Sequence, residues 1–231
     1  MTVAVDINDV TLYHGDCYDI LPELSVKAQA IICDPPYGVA FRSNMRVATP
    51  KFDAITNDGE VNTEWIGALN NICDETSCLF MFTHWRVEHL WRQAVVDAGW
   101  TIKNQVIWYK PGGGMGDLYA QFSPSHENAI FAVRGDWRFP GKRPPDVYDF
   151  THDASTSYVH PTQKPISLMS KIVLDITKPG DLVIDPFFGS CSTGVACVRY
   201  NRKFIGIEIE EEYFNIGWNA IEDEYRRPLL F

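Results

Sequence analysis

The chain has 231 residues, 45% of them hydrophobic and 22% charged, with a formal net charge of −10. This composition suits a soluble globule with a sizeable core, and the acidic balance excludes a nonspecific nucleic-acid coat, because phosphate binding rests on Lys and Arg. No apolar run is long enough to span a bilayer, and the start, Met1-Thr2-Val3-Ala4-Val5-Asp6, lacks the basic start and apolar core expected of a signal peptide.

The six cysteines, Cys17, Cys33, Cys73, Cys78, Cys191 and Cys197, show no C-x-x-C spacing, and the six histidines are scattered. The expectation is reduced thiols in a cytoplasmic protein, with no metal site and no disulfide framework.

In chain order, β-rich runs alternate with stretches of helical period. The pattern predicts strands over Val10–His14 and Ala30–Cys33, then a helix over Thr63–Ile72. A strand at Cys78–Phe82 follows, with a helix at Trp85–Ala98 whose apolar face is Val87, Leu90, Trp91, Ala94 and Val95. Strands come next at Ile102–Trp108 and Asn128–Val133, then a helix at Pro165–Ile176. The chain closes with a strand at Leu182–Ile184, a helix at Ser192–Arg199, a strand at Phe204–Ile207 and a helix at Glu211–Tyr225. Such alternation predicts an α/β fold with a largely parallel sheet of seven candidate strands, in a chain long enough for one large domain or two small ones. Two stretches lack periodicity: Val39–Gly59, and Gly112–Pro124 with Arg134–His160. Long irregular loops in a compact domain are usually functional or disordered.

Asp34-Pro35-Pro36-Tyr37 follows the apolar run Ala30-Ile31-Ile32-Cys33 directly. Proline cannot donate to a sheet ladder, so the strand must stop there. Each proline fixes its own φ and biases the residue before it toward extended geometry, which puts the carbonyls of Asp34 and Pro35 on a rigid path. A flat, amine-bearing ring could lie on Tyr37 and donate to Asp34 and a nearby carbonyl. A plain strand-ending turn is the alternative reading of this motif taken alone.

Four predicted strands are each followed by an acid: Asp16 (after Gly15), Asp34, Asp185 and Glu208. In open α/β sheets ligands bind beyond the carboxyl ends of the strands. Four acids on one rim suit a ligand with hydroxyls, amines and a cation, and would repel a triphosphate. Asp185-Pro186-Phe187-Phe188-Gly189-Ser190-Cys191-Ser192-Thr193-Gly194 reads as strand, glycine turn and helix start, a place where a ligand can approach the backbone. Glu208 follows that turn by about 20 residues, the offset at which a carboxylate meets ribose hydroxyls. There is no G-x-G-x-x-G or G-K-[ST], which weakens a dinucleotide or ATP reading.

The chain resembles the S-adenosylmethionine-dependent amino-methyltransferases of DNA, in the circularly permuted motif order called the beta class. Gly15-Asp16-Cys17, Asp34-Pro35-Pro36-Tyr37, His160-Pro161-Thr162-Gln163-Lys164-Pro165, Asp185-Pro186-Phe187-Phe188-Gly189-Ser190 and Phe204-Ile205-Gly206-Ile207-Glu208 carry the resemblance, in the family's order. The D-P-P-Y form looks like the adenine-modifying branch; the cytosine-modifying branch more often begins with Ser. The resemblance implies a single domain over 1–231 built on a Rossmann-like class I methyltransferase sheet, mostly parallel, of about seven strands with helices on both faces. It implies S-adenosylmethionine as cofactor, with Asp185, Gly189 and Ser190 around its methionine part, Glu208 on the ribose and Asp16 facing its adenine. Thr162 and Lys164 would hold its carboxylate, and Phe187 and Phe188 would wall the pocket. Asp34, Pro35, Pro36 and Tyr37 would act on the N6 amine of adenine. The family's second glycine is Cys191 here and its Thr is Ser192; Cys tolerates positive φ poorly.

The implied partner is DNA, with the adenine flipped out of a duplex or already unpaired. Arg42, Arg46, Arg138, Lys142 and Arg143 are the candidate DNA contacts. The resemblance implies that the target is read by the segment before His160-Pro161, here roughly Arg134–Tyr158, with Trp137 and Phe139 suited to wedging. The loops at 39–59 and 112–124 would close over DNA. So short a reader suggests a short or relaxed target, or recognition shared across a homodimer. Other acceptors stay open at this point: cytosine N4, an RNA base or a protein amide. So does a methyltransferase-like fold that binds nucleic acid without turnover.

Overall fold

A computed structural model describes residues 3–38, 59, 61–112, 119–151 and 163–227. Their nine strands form one sheet: β1 (Val3–Ile7), β2 (Val10–His14), β3 (Ala28–Cys33), β4 (Cys73–Thr83), β5 (Thr101–Tyr109), β6 (His126–Val133), β7 (Val147–Asp149), β8 (Leu182–Asp185) and β9 (Lys203–Glu208). The helices are α1 (Cys17–Ile20), α2 (Trp65–Ile72), α3 (Glu88–Asp97), α4 (Ile166–Ile176), α5 (Ser192–Arg199) and α6 (Glu211–Arg226). None of them is long and apolar enough to cross a membrane.

The strand order is β1-β2-β9-β8-β3-β4-β6-β5-β7. Five neighbouring pairs are parallel; β1–β2, β4–β6 and β5–β6 are antiparallel. The sheet is thus larger than the seven strands the periodicity indicates. The two additions are edge strands. β1 joins β2 through a two-residue hairpin with Asn8 at φ 53, and β7 is three residues beside β5.

Successive strand side chains point to opposite faces, and here each face has its own core. Ala30, Ile32, Phe80, Phe82, Phe131, Val183 and Phe204 pack toward α4, α5 and α6. Ile31, Cys33, Leu79, Met81, Ile130, Ile184 and Ile205 pack toward α1, α2 and α3. Because β3 is covered on both faces, its sequence reads as a continuous apolar run.

Candidate active site

From β3 the chain leaves through α2 to β4 on one side; from β8 it leaves through α5 to β9 on the other. β3 and β8 are neighbours, so a topological switch point lies between them, where open α/β sheets form their ligand crevice. Parallel pairing of β2, β9, β8 and β3 sets their carboxyl ends in a row, with His14 opposite Glu208 and Asp185 opposite Gly206. The four acids therefore share one rim: Asp16, Glu208, Asp185 and Asp34.

At the β3 end, one carboxylate oxygen of Asp34 accepts the Tyr37 hydroxyl and the other is paired with the Lys164 ammonium. Lys164 also lies 3.4 Å from Glu127 Oε2 and 4.8 Å from the centre of the Phe82 ring. Glu127 Oε1 accepts Lys110 Nζ at 2.7 Å. The result is an alternating chain, Tyr37–Asp34–Lys164–Glu127–Lys110, with two anions and two cations. Burial lifts the Asp34 carboxyl above its ordinary value, and Lys164 works against that lift. Burial alone would lower Lys164, but Asp34 and Glu127 more than offset it and hold the ammonium above its usual range. Burial also opposes the charge on Glu127; Lys164 and Lys110 overcome it and bring that carboxyl down to about 2.

Glu127 and Lys110 are site residues that strand-end reasoning missed. That reasoning looks for acids at carboxyl ends only, and Lys110 is a cation just past the carboxyl end of β5. β6 runs antiparallel to β4, so its start, not its end, lies on the rim. The polar His126-Glu127-Asn128 run ahead of the apolar Ala129–Val133 was the available signal.

At the β8 end, Asp185 Oδ2 accepts Thr193 Oγ1 at 2.8 Å and Oδ1 accepts the Phe187 amide at 3.1 Å. Burial dominates and pushes the Asp185 carboxyl up to about 7. Glu208 accepts the Gly189 and Glu210 amides, both at 2.9 Å, and burial raises it too. Gly189 has φ 51 and open space where a Cβ would stand. Cys191 is itself left-handed, φ 63 and ψ 29, at the N-cap of α5, and Ser190 Oγ lies 3.3 Å from Ser192 Oγ. Buried carboxylates beside an open glycine turn and a helix start fit a ligand carrying a cation and a hydroxyl pair. This is the donor set S-adenosylmethionine calls for.

The two phenylalanines of the turn part company. Phe187 is half-buried, its ring edge-on to Trp65 at 5.1 Å. Phe188 does not wall a pocket. It fills the opposite core, where a Cβ at Gly206 or Gly217 would lie 2.6 or 2.5 Å from its ring. Asp16 caps α1, accepting the Tyr18 amide at 2.9 Å.

Arg42, Arg46 and Thr162 lie outside the described residues, as do most of the loop at 39–59 and positions 113–118 of the loop at 112–124. Arg138, Lys142 and Arg143 are on a stretch that leaves the sheet at Val133, the end of β6 away from the rim. Trp137 and Phe139 are not free wedges. They pack on Phe131 at 5.2 and 5.7 Å, anchoring the stretch to the sheet. Arg202, one of the basic residues near the C-terminal end, is buried and tied to Thr177 and Tyr200.

A profile of the DNA methylase family matches residues 28–219, which contain β3 through most of α6. The chain belongs to the DNA methylase family. Among curated members, the type II methyltransferase M2.DpnII of Streptococcus pneumoniae is 27% identical over 94% of this chain and 91% of its own length. Among solved structures, the M1.HpyAVI–SAM complex is 26% identical and superposes with a TM-score of 0.74, covering 92% of this chain and 98% of that one. The PvuII cytosine-N4-specific DNA methyltransferase, at 16% identity, shares the fold with a TM-score of 0.70 over 94% of this chain and 92% of its own. This methylase is an enzyme whose substrate is DNA, on a methyltransferase sheet.

Proposed function

We propose that this DNA methylase transfers the methyl group of S-adenosylmethionine to the N6 amine of adenine. One observation carries the reading: Asp34 stands at the switch point with Tyr37 and Lys164 bonded to its two oxygens, next to the Asp185–Glu208 cradle. When bound, S-adenosylmethionine supplies a sulfonium methyl for direct displacement by an amine. Asp185 and the Gly189 turn hold the methionine part, and Glu208 holds the ribose.

The protein's own share of the chemistry is at Asp34. The N6 lone pair of adenine is delocalised into the ring. Accepting a hydrogen bond from that amine draws the nitrogen toward tetrahedral geometry and frees the lone pair. The same carboxylate stabilises the positive charge that grows on N6, and preorganised electrostatic help of this kind usually contributes most to an enzyme's rate. Lys164 supports it by opposing the lift that burial gives the Asp34 carboxyl. Tyr37 provides the plate that orients the ring, with its hydroxyl fixed to Asp34. The target base is flipped out or already unpaired, since a stacked adenine cannot enter a crevice of this kind.

The test is transfer of labelled methyl from S-adenosylmethionine to unmethylated DNA, with the modified nucleoside identified by mass. N6-methyladenine that is lost in Asp34→Ala supports the reading. N4-methylcytosine as the product would overturn it.

A further inference from the structure

We propose that Trp85 and Arg86 form a landing for the nucleotide next to the target adenine in the same strand, with the base on Trp85 and its phosphate on Arg86. The inference rests on the adenine-methylation reading of the Asp34–Tyr37 site.

β4 is the neighbour of β3 and ends at Thr83, so residues 84–86 leave the rim beside Asp34 and Tyr37. The rings there form a stepped series. Tyr37 and His84 are 6.2 Å apart with their planes at 40°. His84 and Trp85 are 5.8 Å apart at 32°. Arg86 Cζ then sits 5.4 Å from the Trp85 ring centre. The series runs from the plate assigned to the target base out to the surface. Trp85 is 62% exposed, whereas Trp65, Trp91, Trp100 and Trp108 are all buried.

The staple position ahead of α3 is Arg86, next to the N-cap Val87, so Trp85 is not placed to pack onto the first turn. Its ring stays in solvent, and packing does not account for it. A flat exposed ring with a guanidinium over it offers what an unpaired nucleotide binds: a stacking surface that accepts any base, and a cation for the phosphate. The cation matters here because the rim is acidic and repels a backbone brought to it. A protein acceptor would not need the ring series to continue from Tyr37.

The experiment uses the full chain and an oligonucleotide carrying its methylation site, as read from the DNA it modifies. Trp85→Ala should raise KM for DNA about tenfold, in line with one lost base stack, and leave kcat and KM for S-adenosylmethionine within about twofold. Trp85→Phe should recover most of the loss. An abasic residue placed on either side of the target in turn should cost the wild type a similar factor on one side only, and cost Trp85→Ala nothing more there. Arg86→Ala should raise KM for DNA and flatten its salt dependence. An unchanged KM in Trp85→Ala, or abasic and mutant losses that multiply in full, would overturn the landing while leaving adenine methylation standing. Wild-type protein that transfers no methyl to DNA adenine would overturn both.

Discussion

Lys164, two residues before α4, is ion-paired with Asp34, 130 positions earlier at the end of β3. The pair is the weld between two motifs that are far apart in the chain. It joins Asp34, the residue proposed to meet the acceptor amine, to the segment leading into α4 through one buried cation. Replacing Lys164 by Met strands the Asp34 charge. Breaking one partner of a buried pair costs about 3 kcal/mol of stability. The variant should be destabilised by that order in urea melts. Loss of the cation raises the Asp34 carboxyl further, so the acid limb of kcat should move to higher pH. A Lys164→Met enzyme with the wild-type pH profile would mean that Lys164 does not govern Asp34.

Glu127 sits on the far side of that lysine, and its carboxyl is held near 2 against an ordinary value of 4.5. A depressed carboxyl stabilises the fold fully above its unfolded value. That contribution disappears as pH falls through the folded value. The stability difference between wild type and Glu127→Gln should therefore be constant above about pH 5 and shrink steadily below it. Urea midpoints measured from pH 3 to 7 would show this. A difference that stays level to pH 3 would mean that Glu127 is not held by Lys164 and Lys110.

Much of this fold was legible because period-2 and period-3.6 patterns are written residue by residue, as in β3 or α3. Edge elements escaped for physical reasons. β7 has three residues and one buried side chain, Tyr148, too little to make a pattern. β1 was open to detection, since Val3-Ala4-Val5 leads into an Asn8-Asp9 turn. The acids at the strand ends were visible because a parallel sheet places every carboxyl end on one rim. The Lys110–Glu127 half of the charge chain was not: Lys110 follows a carboxyl end but is no acid, and Glu127 depends on the direction of β6, which local sequence does not encode. Phe188 was misjudged for a similar reason. Neighbouring residues in the turn send their rings to opposite faces of the sheet, Phe187 toward Trp65 and Phe188 into the core against Phe214.

Asp185 makes a prediction with the opposite sign to Glu127. Its folded carboxyl is raised to about 7 from an ordinary 3.8. The unfolded chain gives up that proton near pH 4, and the folded protein keeps it until about pH 7. The group's stabilising effect is complete below pH 4 and is lost as pH rises toward 7. Asp185→Asn, which cannot titrate, should remove that decline, so wild type loses ground to it between pH 4 and 7. A cation bound beside Asp185 favours the ionised form, so binding of S-adenosylmethionine near pH 6.5 should release a fraction of a proton. Calorimetry in buffers of different ionisation heat measures it. Binding with no proton release, or release undiminished in Asp185→Asn, would place the cofactor's charge elsewhere.

Cys191 is, with Ser192, a departure from the pattern of the resembled family, and its backbone is left-handed at φ 63. A non-glycine residue there carries about 1 kcal/mol of strain. Glycine would remove the strain, but it would also lose the buried side chain, whose Sγ would lie 2.5 Å from a Cβ at Gly194. It also enlarges the entropy of the unfolded chain by a similar amount. These effects nearly cancel, so Cys191→Gly should melt within about 4 °C of wild type, the shift expected for roughly 1 kcal/mol in a chain of this size. Cys191→Val should do much worse. A β-branched residue resists positive φ, and its extra methyl meets Gly194 and Gly217, where α5 and α6 come close; a loss of about 3 kcal/mol follows. Because the turn also positions Gly189 and Ser190, the valine variant should bind S-adenosylmethionine more weakly at temperatures where it is still folded. Glycine and valine variants that lose equal stability would show that side-chain packing, and not the left-handed backbone, decides what position 191 tolerates.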